Sequence, residues 1–503
     1  MFNDIEFLLN KNMIKKAIII GAGFSGLSAA SVLAKSGIEV EIFEKNSIPG
    51  GRAGMIRQNG FSFDMGPSWY WLPDVFERFF NLFGKSTSDY YSLCRLDPSY
   101  RVFYGNNEIV DIPAGKENVI RLFESIEKGS GKKLEKFLEE AEYKYTVGVN
   151  KLIYKPARSI LEYVNYDVFK GIFKLHLLKS FHNYVRENFK DPRLWALLEF
   201  PVIFLGATPK RTPALYSLMN HADMALGTWY PMGGMFEVVK GFVSLAESLG
   251  ARIEYNSPVE KIVTKGNKAT GVLVNGIFHP ADYILGSADY HHIEKDLLPD
   301  NKTNYNSKYW NSREMAPSAL MYFIGLNRKT EKLLHHNLMF DQDFETHANE
   351  LFETPQWPSN PLLYTSVTSK SDTSTAPADM ENLVVLIPVA PGLEDNELTR
   401  EKYFDLVMDR MEILTGESLK QNVIIKKSYA HNDFSSDFNA YKGNAYGLGN
   451  TLMQTAIFKP RIHSGKLNNV VFSGQLTAPG PGVPPSIISG QVAAGELIKM
   501  LKN

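Results

Sequence analysis

Three glycines near the beginning of the chain have the spacing of a phosphate-binding turn. Gly21, Gly23 and Gly26 follow the apolar run Ala17–Ile20, which has the composition of a buried parallel strand, and precede the small and apolar run Leu27–Lys35. In such a turn the first glycine permits the bend, the second lets the backbone approach a pyrophosphate, and the third allows close packing of helix on strand. The sequence therefore predicts a dinucleotide site at the start of this helix.

A carboxylate follows where the ribose of such a ligand would be bound. Glu44 comes directly after a second strand-like run, Val40–Phe43, about 20 residues beyond the glycine turn. An acidic side chain at this point accepts hydrogen bonds from ribose hydroxyls and disfavours a 2′-phosphate, so NADP is not the expected ligand. Phe24 and Ser25, inside the turn, and Lys45, next to Glu44, complete this first set of predicted binding residues.

Two more glycine-containing motifs follow before residue 70. The run Gly50-Gly51-Arg52 places an open backbone beside a guanidinium group, whose fixed fork of donors suits phosphate or carbonyl oxygens. The segment Phe63–Trp69 contains Gly66 and Pro67 and turns the chain back towards the site. We therefore predict that Gly51, Arg52, Gly66 and Pro67 contact the same ligand.

Together these motifs resemble the FAD-binding signature that amine oxidases, protoporphyrinogen oxidases and carotenoid desaturases share. The resemblance implies FAD as the cofactor and a Rossmann-like domain that binds it, but it does not define a substrate. Covalent attachment through a thiol would need Cys94, the single cysteine, which is far in sequence from the C-terminal motif. We therefore expect noncovalent FAD.

The C-terminal part of the sequence is more specific. Residues 473–486, SGQLTAPGPGVPPS, form a Gly/Pro-rich loop before a run that favours a helix from about Ile487. This segment, with residues 229–235 and 441–447, is similar to motifs of bacterial-type phytoene desaturases, and the similarity covers nearly the whole chain. The resemblance implies that Gly474, Val483 and Pro484 lie beside the flavin ring and that Val259 contacts the adenine side. The positive end of the following helix would face the ring.

Composition excludes several other classes of protein. The chain has 503 residues with 54 Lys+Arg and 55 Asp+Glu, and the resulting net charge of −1 disfavours a general nucleic-acid-binding protein. One cysteine excludes an intrachain disulfide, a cysteine-cluster metal site and an iron–sulfur cluster. The pairs His291-His292 and His335-His336 lack a carboxylate at ligand spacing, so we interpret them as solvated or hydrogen-bonded and expect no metal.

The order of strand and helix patterns predicts an α/β fold. The resemblance implies that it contains a Rossmann-like FAD-binding domain that is discontinuous in sequence. We assign its three parts to residues 13–100, 229–310 and 439–503. Residues 101–228 are expected to form an inserted helical region facing substrate and membrane, and residues 311–438 a β-rich substrate domain. Predicted strands include residues 17–20, 40–43, 252–255, 259–263, 271–274, 283–285, 320–324, 383–389 and 470–472, with a hairpin turn at Gly266-Asn267.

The segment Phe169–Arg193 combines an aromatic and aliphatic helical face with many basic residues. This composition suits a helix on a membrane surface, although an ordinary amphipathic helix with its apolar face in the core fits the same pattern. No apolar run reaches the ~18 residues that a spanning helix needs, and residues 1–12 lack the features of a signal peptide. We expect a cytoplasmic enzyme that associates peripherally with the membrane.

The resemblance implies desaturation of a linear carotenoid, with phytoene converted stepwise towards lycopene. A hydride would pass to flavin N5 and a proton would leave the neighbouring carbon, with oxygen or a quinone as the final electron acceptor. No catalytic residue is assigned, because Asp191 matches a family motif whose arginine is replaced here by Trp195, and Asp191-Pro192 also has the composition of a helix cap. The alternatives are a C30 or hydroxylated polyene, an isomerase, a flavin amine oxidase or a non-enzymatic lipid-binding protein.

Overall fold

The computed structural model describes residues 15–105, 108–163, 179–203 and 206–502. Its strands, numbered in chain order, are β1 (Lys16–Ile20), β2 (Glu39–Phe43), β3 (Met55–Gln58), β4 (Phe61–Asp64), β5 (Leu93–Arg95), β6 (Tyr100–Tyr104), β7 (Ile109–Ile112), β8 (Trp229–Pro231), β9 (Arg252–Glu254), β10 (Val259–Lys265), β11 (Lys268–Val274), β12 (Ile277–Pro280), β13 (Tyr283–Gly286), β14 (Ser318–Leu326), β15 (His336–Phe340), β16 (Leu363–Ser366), β17 (Glu381–Val389), β18 (Val423–Tyr429) and β19 (Val470–Phe472). The longer helices are α1 (Phe24–Lys35), α2 (Pro73–Asn81), α3 (Lys116–Ile126), α4 (Ser130–Val147), α5 (Phe181–Asn188), α6 (Pro192–Ile203), α7 (Met235–Ser248), α8 (Phe344–Phe352), α9 (Glu397–Thr415), α10 (His431–Phe438) and α11 (Val483–Lys502).

A parallel sheet is assembled from three separate stretches of the chain. Its strand order is β19-β13-β1-β2-β9, so β1 lies between its sequence neighbour β2 and the distant β13. Both faces of β1 are buried, with Ala17 and Ile19 in one apolar cluster and Ile18 and Ile20 in another. The carboxyl ends of β1, β2 and β13 meet at one edge, where the connections reverse direction and such sheets bind ligands.

A second sheet has seven strands in the order β18-β14-β17-β16-β15-β6-β7. Its pairs are antiparallel except β15 and β6, which run parallel. Residues opposite each other on neighbouring strands share a face, so the register places Met321, Leu386, Tyr364 and Leu338 in one row across the sheet. All four lie in the largest apolar cluster, which the helical segment 181–203 also enters.

All nine strand segments predicted from the sequence overlap strands of the structure, whereas the other ten strands were not predicted. The hairpin at Gly266-Asn267 is confirmed, because β10 ends at Lys265 and β11 begins at Lys268. Helix α11 begins at Val483 rather than Ile487, since prolines are tolerated in a first turn, where the N–H groups have no intrahelical acceptor. Residues 100–112 form β6 and β7 of the seven-stranded sheet, so the beginning of the region predicted as helical (101–228) is instead part of a sheet.

The predicted helix Phe169–Phe189 lies partly outside the described residues. Its described part, α5, buries Phe181, Tyr184 and Val185 in the core, as an ordinary amphipathic helix does. The basic side chains of Lys179 and Arg186 form ion pairs with glutamates. Within the described ranges, no helix has both the length and the apolar character needed to cross a membrane.

Candidate active site

A cavity of about 480 Å³ extends from the edge of the parallel sheet to the face of the seven-stranded sheet. One end is lined by the glycine turn after β1 and by the ends of β2 and β13, which supply Gly23, Glu44 and Ser287. The other end is lined by Met321 and Leu386 of the seven-stranded sheet. The cavity therefore joins a backbone-rich polar end to an apolar end.

The glycine turn is held open towards the cavity by backbone hydrogen bonds. Gly21 N donates to Phe43 O at 2.9 Å, and Gly50 N donates to Ala22 O at 2.9 Å, so the two segments close one wall. A side-chain carbon built on Gly23 would meet no atom within 4 Å. The space next to Gly23 is thus the free approach that a pyrophosphate needs.

Glu44 is buried at the carboxyl end of β2. Its Oε2 accepts a hydrogen bond from Ala22 N at 2.8 Å, and its Oε1 accepts one from Asn46 N at 2.9 Å. Each carboxylate oxygen has a second lone pair, so both can still accept from ribose hydroxyls. The same contacts fix the carboxylate against the glycine turn.

Arg52 is half-buried, and protein groups only partly satisfy its hydrogen-bond donors. Its Nη2 donates to Asn444 O at 3.3 Å, and its guanidinium carbon lies 5.3 Å from the ring centre of Phe438. Burial lowers the pKa of Arg52, while the charge of Asp289 partly restores it. Arg52 Nε has no hydrogen-bond partner within the described part of the chain.

Other polar atoms at this end also lack partners. Ser25 and Ser287 line the cavity, and neither hydroxyl makes a hydrogen bond to a described residue. Buried polar atoms are normally paired, so the two hydroxyls and Arg52 Nε indicate that a polar ligand completes their bonding. The residues present fit FAD, whose phosphates, ribose and carbonyl oxygens would accept from them.

The C-terminal loop and α11 form the wall opposite the glycine turn. Gly474 N donates to Ser489 Oγ at 3.0 Å, and Ser486 N donates to Gly482 O at 2.9 Å. Pro481, Gly482 and Val483 line the cavity, so the first turn of α11 directs its positive end towards the ligand.

The structure brings the predicted residues together with two exceptions. The residues that line the cavity are Gly21, Gly23, Phe24, Ser25, Glu44, Lys45, Gly51, Arg52, Gly66, Pro67, Val259, Gly474 and Val483. Gly26 does not, because it lies against the turn, where an added side-chain carbon would be 2.1 Å from Gly21 O. Pro484 lies in the first turn of α11 and is likewise absent from the lining.

Several lining residues had no sequence prediction. Ser287, Ala288 and Asp289 follow β13, and their position at the carboxyl end of a parallel strand was the signal that could have identified them. Burial raises the pKa of Asp289, although the charge of Arg52 opposes this. Phe434 and Phe438 of α10 also line the cavity, and no local pattern distinguishes them from core residues.

Other motif residues have structural roles. Asp64 Oδ2 accepts from Met235 N at 3.1 Å and so caps α7, and burial raises the pKa of Asp64 to about 7. Asp191 Oδ1 accepts from Arg193 N at 2.9 Å at the start of α6, which confirms the helix-cap interpretation. Its ion pair with Arg193 lowers the pKa of Asp191, so this carboxylate is a poor proton acceptor.

His335 and His336 are buried and hydrogen-bonded, which is the second of the two alternatives predicted for them. His335 Nδ1 lies 2.9 Å from Ser371 Oγ, and His336 Nδ1 lies 2.7 Å from the Tyr364 hydroxyl oxygen, with the His336 ring stacked on Trp69 at 4.2 Å. Among the described residues, no group of three His, Cys, Asp or Glu side chains is placed to hold a metal ion. Cys94 is exposed on β5 and does not line the cavity.

Comparison with known proteins identifies the family of this chain. The model of the flavin containing amine oxidoreductases matches residues 24–498. The chain belongs to this family. It is therefore an FAD-dependent oxidoreductase.

Similar proteins show to which group within this family the oxidoreductase belongs. It is 40% identical to a carotenoid 3,4-desaturase of Haloarcula japonica, with 96% of this chain and 97% of the relative covered. It is 31% identical to a zeta-carotene-forming phytoene desaturase of Myxococcus xanthus, with 96% and 94% covered. The chain thus belongs with the carotenoid desaturases.

A solved structure of an oxidoreductase from Methanosarcina mazei has the same fold. Its TM-score is 0.62 at 15% identity, and 95% of this chain and 99% of that chain are covered. At this identity the likeness supports the α/β fold with an FAD-binding domain and a separate sheet domain, and nothing about the substrate.

Proposed function

We propose that this enzyme desaturates a linear carotenoid, most specifically phytoene, which it converts stepwise towards lycopene. Bound FAD supplies the two-electron acceptor, which takes a hydride from a saturated carbon while the neighbouring carbon loses a proton. The cavity carries this proposal, because its polar end suits a dinucleotide and its other end presents an apolar sheet face. Oxygen or a quinone would then reoxidise the cofactor.

The residues of the chain have three tasks in this reaction. Gly23, Glu44 and Arg52 would hold the cofactor by its pyrophosphate, ribose and oxygen atoms. Met321 and Leu386 would hold the polyene against the flavin and exclude water, since a hydrocarbon offers only apolar surface for recognition.

The identity of the carotenoid rests on the motifs at residues 229–235, 441–447 and 473–486. A C30 or hydroxylated polyene is the main alternative, because one relative carries the name carotenoid 3,4-desaturase and another the name 4,4′-diapophytoene desaturase. The apolar lining at Ala319, Met321 and Leu386 disfavours a small charged amine, which would need polar partners.

Co-expression in a phytoene-producing host tests the proposal. We expect phytoene to decrease and coloured polyenes to accumulate, with the Gly23→Val variant as a control whose cofactor binding is weakened. Parallel hosts that produce a C30 polyene or a hydroxylated polyene identify the alternatives. Unchanged pigments in all hosts, with peroxide released from amines, would refute the carotenoid assignment.

We also propose that the enzyme docks peripherally on a membrane, where a C40 hydrocarbon is dissolved. Ile160 and Leu161 support this, because they are 63% and 75% exposed although apolar. In sedimentation with vesicles of phosphatidylglycerol and phosphatidylethanolamine, Leu161→Asp should bind less than the native enzyme. Leu398→Asp is the matched control, since Leu398 is 85% exposed on α9. Equal sedimentation of native enzyme and both variants would contradict docking through this segment.

A further inference from the structure

The end of the cavity next to Glu44 contains an apolar pocket. Glu44 O accepts a hydrogen bond from Ser257 N at 2.8 Å, which holds the beginning of β10 beside the carboxylate. Phe43, Val259 and Leu297 line this part of the cavity and belong to one apolar cluster. In a dinucleotide the base is attached to the ribose, which Glu44 would bind. The pocket therefore lies where the adenine ring of FAD would be held.

His292 lines the cavity beside this pocket. It immediately precedes the turn Ile293–Leu297, which packs on β10 and supplies Leu297 to the lining. The backbone N–H of His292 donates to Asp289 Oδ1 at 3.3 Å, so the residue is fixed between the carboxyl end of β13 and the apolar pocket. An imidazole ring is thus placed next to the position of the base.

Asp296 determines which kind of hydrogen bond the His292 ring can make with a ligand. His292 Nδ1 lies 2.6 Å from Asp296 Oδ2. A carboxylate only accepts hydrogen bonds, so Nδ1 carries the proton of the neutral ring and Nε2 presents a lone pair. Adenine carries an amine at C6, which donates, whereas guanine and hypoxanthine carry an oxygen there, which only accepts. Nε2 therefore matches adenine and not the other two bases.

The charged lining residues nearby are engaged by protein groups. Lys45 Nζ donates to Ser436 O, and the oxygens of Glu44 and Asp289 accept from backbone N–H groups. Asn439 also lines the cavity, but an amide can present either its oxygen or its nitrogen and so does not distinguish an amine from a carbonyl group. Among these side chains, the acceptor that discriminates between the bases is the imidazole.

We propose that His292 Nε2 accepts a hydrogen bond from the C6 amine of adenine and so selects FAD against flavin dinucleotides with another base. Asp296 is the positioning residue of this contact, because it holds the ring in the required tautomer. With hypoxanthine, two acceptors would face each other and neither would be paired. The proposal concerns cofactor recognition and does not depend on which substrate is oxidised.

The test is equilibrium binding of FAD and of flavin hypoxanthine dinucleotide to the apoprotein, measured by quenching of flavin fluorescence. The native apoprotein should bind FAD about 10-fold or more tightly than the hypoxanthine analogue, because the mismatch leaves an acceptor of the site unpaired. His292→Leu should bind FAD about 10-fold more weakly than the native apoprotein and should bind both dinucleotides with similar affinity. Circular dichroism checks that the variant is folded.

A conservative variant separates hydrogen bonding from packing. His292→Gln should bind FAD within about 3-fold of the native affinity, because the amide oxygen can accept from the adenine amine. The same amide can rotate and donate to the oxygen of hypoxanthine, so this variant should lose most of the preference for FAD. A side chain that only fills space would not produce this combination.

The neighbouring histidine provides the matched control. The His291 ring lies 4.1 Å from the ring of Tyr441, and His291 does not line the cavity. His291→Gln should therefore keep the native affinity for FAD and the native preference over the hypoxanthine analogue.

Three results would overturn the proposal. They are a native apoprotein that binds both dinucleotides equally, a folded His292→Leu variant that keeps the native preference, and a His291→Gln variant that loses the preference as fully as His292→Gln does. Failure of the desaturase proposal would leave these measurements unchanged, because none of them involves turnover.

Discussion

The two ends of the cavity are built in opposite ways. At the dinucleotide end, most contacts come from short stretches of consecutive residues, such as the glycine turn and Gly51-Arg52, and the backbone supplies much of the surface. At the sheet end, Ala319 and Met321 come from β14 and Leu386 from β17, and side chains supply the surface. The first kind of site depends on glycines that leave space, and the second depends on strand register.

Substitutions at two glycines of the same turn should have different consequences, one for cofactor binding and the other for folding. These are the largest effects expected at the dinucleotide end. Gly23→Val should fold but weaken FAD binding about 10- to 100-fold, since 1–3 kcal/mol is the usual cost of forcing extra atoms into an occupied space. Its side chain would enter the open space that the ligand needs. Isothermal titration of the apoprotein with FAD, with circular dichroism as the folding check, measures this effect.

Gly26→Val is the matched control. Because its side-chain carbon would be 2.1 Å from Gly21 O, we expect loss of soluble, folded protein rather than loss of FAD alone. Folded Gly26→Val, or native FAD affinity in Gly23→Val, would contradict the division of tasks within this turn.

A polar substitution at the sheet end should impair turnover of the polyene and leave FAD binding unchanged. Leu386→Asn should keep native FAD affinity and lower kcat/KM for the polyene about 10-fold, because an amide without partners at an apolar surface costs about 1–3 kcal/mol. Leu386→Met, which conserves volume, should stay close to native. Loss of FAD from Leu386→Asn would mean that the two ends do not function separately.

A smaller effect should appear in the pH dependence of stability near the sheet end. Burial raises the pKa of Asp223 to about 7, and its Oδ2 accepts from the Tyr100 hydroxyl at 2.8 Å. The folded chain therefore binds one more proton than the unfolded chain between pH about 4 and 7. Its contribution to stability is complete below this window and is lost as the pH rises through it.

The variant Asp223→Asn should lack this contribution. The unfolding free energy of the native protein should fall more steeply in that window, by up to about 1.4 kcal/mol per pH unit, than that of the variant. Urea unfolding at several pH values measures the difference. Parallel pH profiles of the two proteins would show that Asp223 does not titrate in this range.

The sequence predictions were accurate for the dinucleotide end of the cavity and not for its sheet end. The glycine turn, Glu44 and Arg52 were found because each lies next to a strand or turn with its own local pattern, and the parallel sheet then brings them together. Residues of the sheet end, such as Leu386, looked like any buried strand residue. The helical region was placed too early, because β6 and β7 are short strands that join the sheet through the pairing of β6 with the distant β15.

The sequence by itself determined the dinucleotide end, because a glycine turn and its flanking strand and helix specify their geometry locally. The tertiary structure decided which side chains line the sheet end of the cavity. Long-range strand pairing chose which side chains of β14 and β17 line the cavity. Packing of Asn450 and Lys459 next to Gly480 of the C-terminal loop left the buried Lys459 Nζ without a hydrogen-bond partner among the described residues. Burial and partner distance are properties of assembled elements, and no spacing of residues along the chain encodes them.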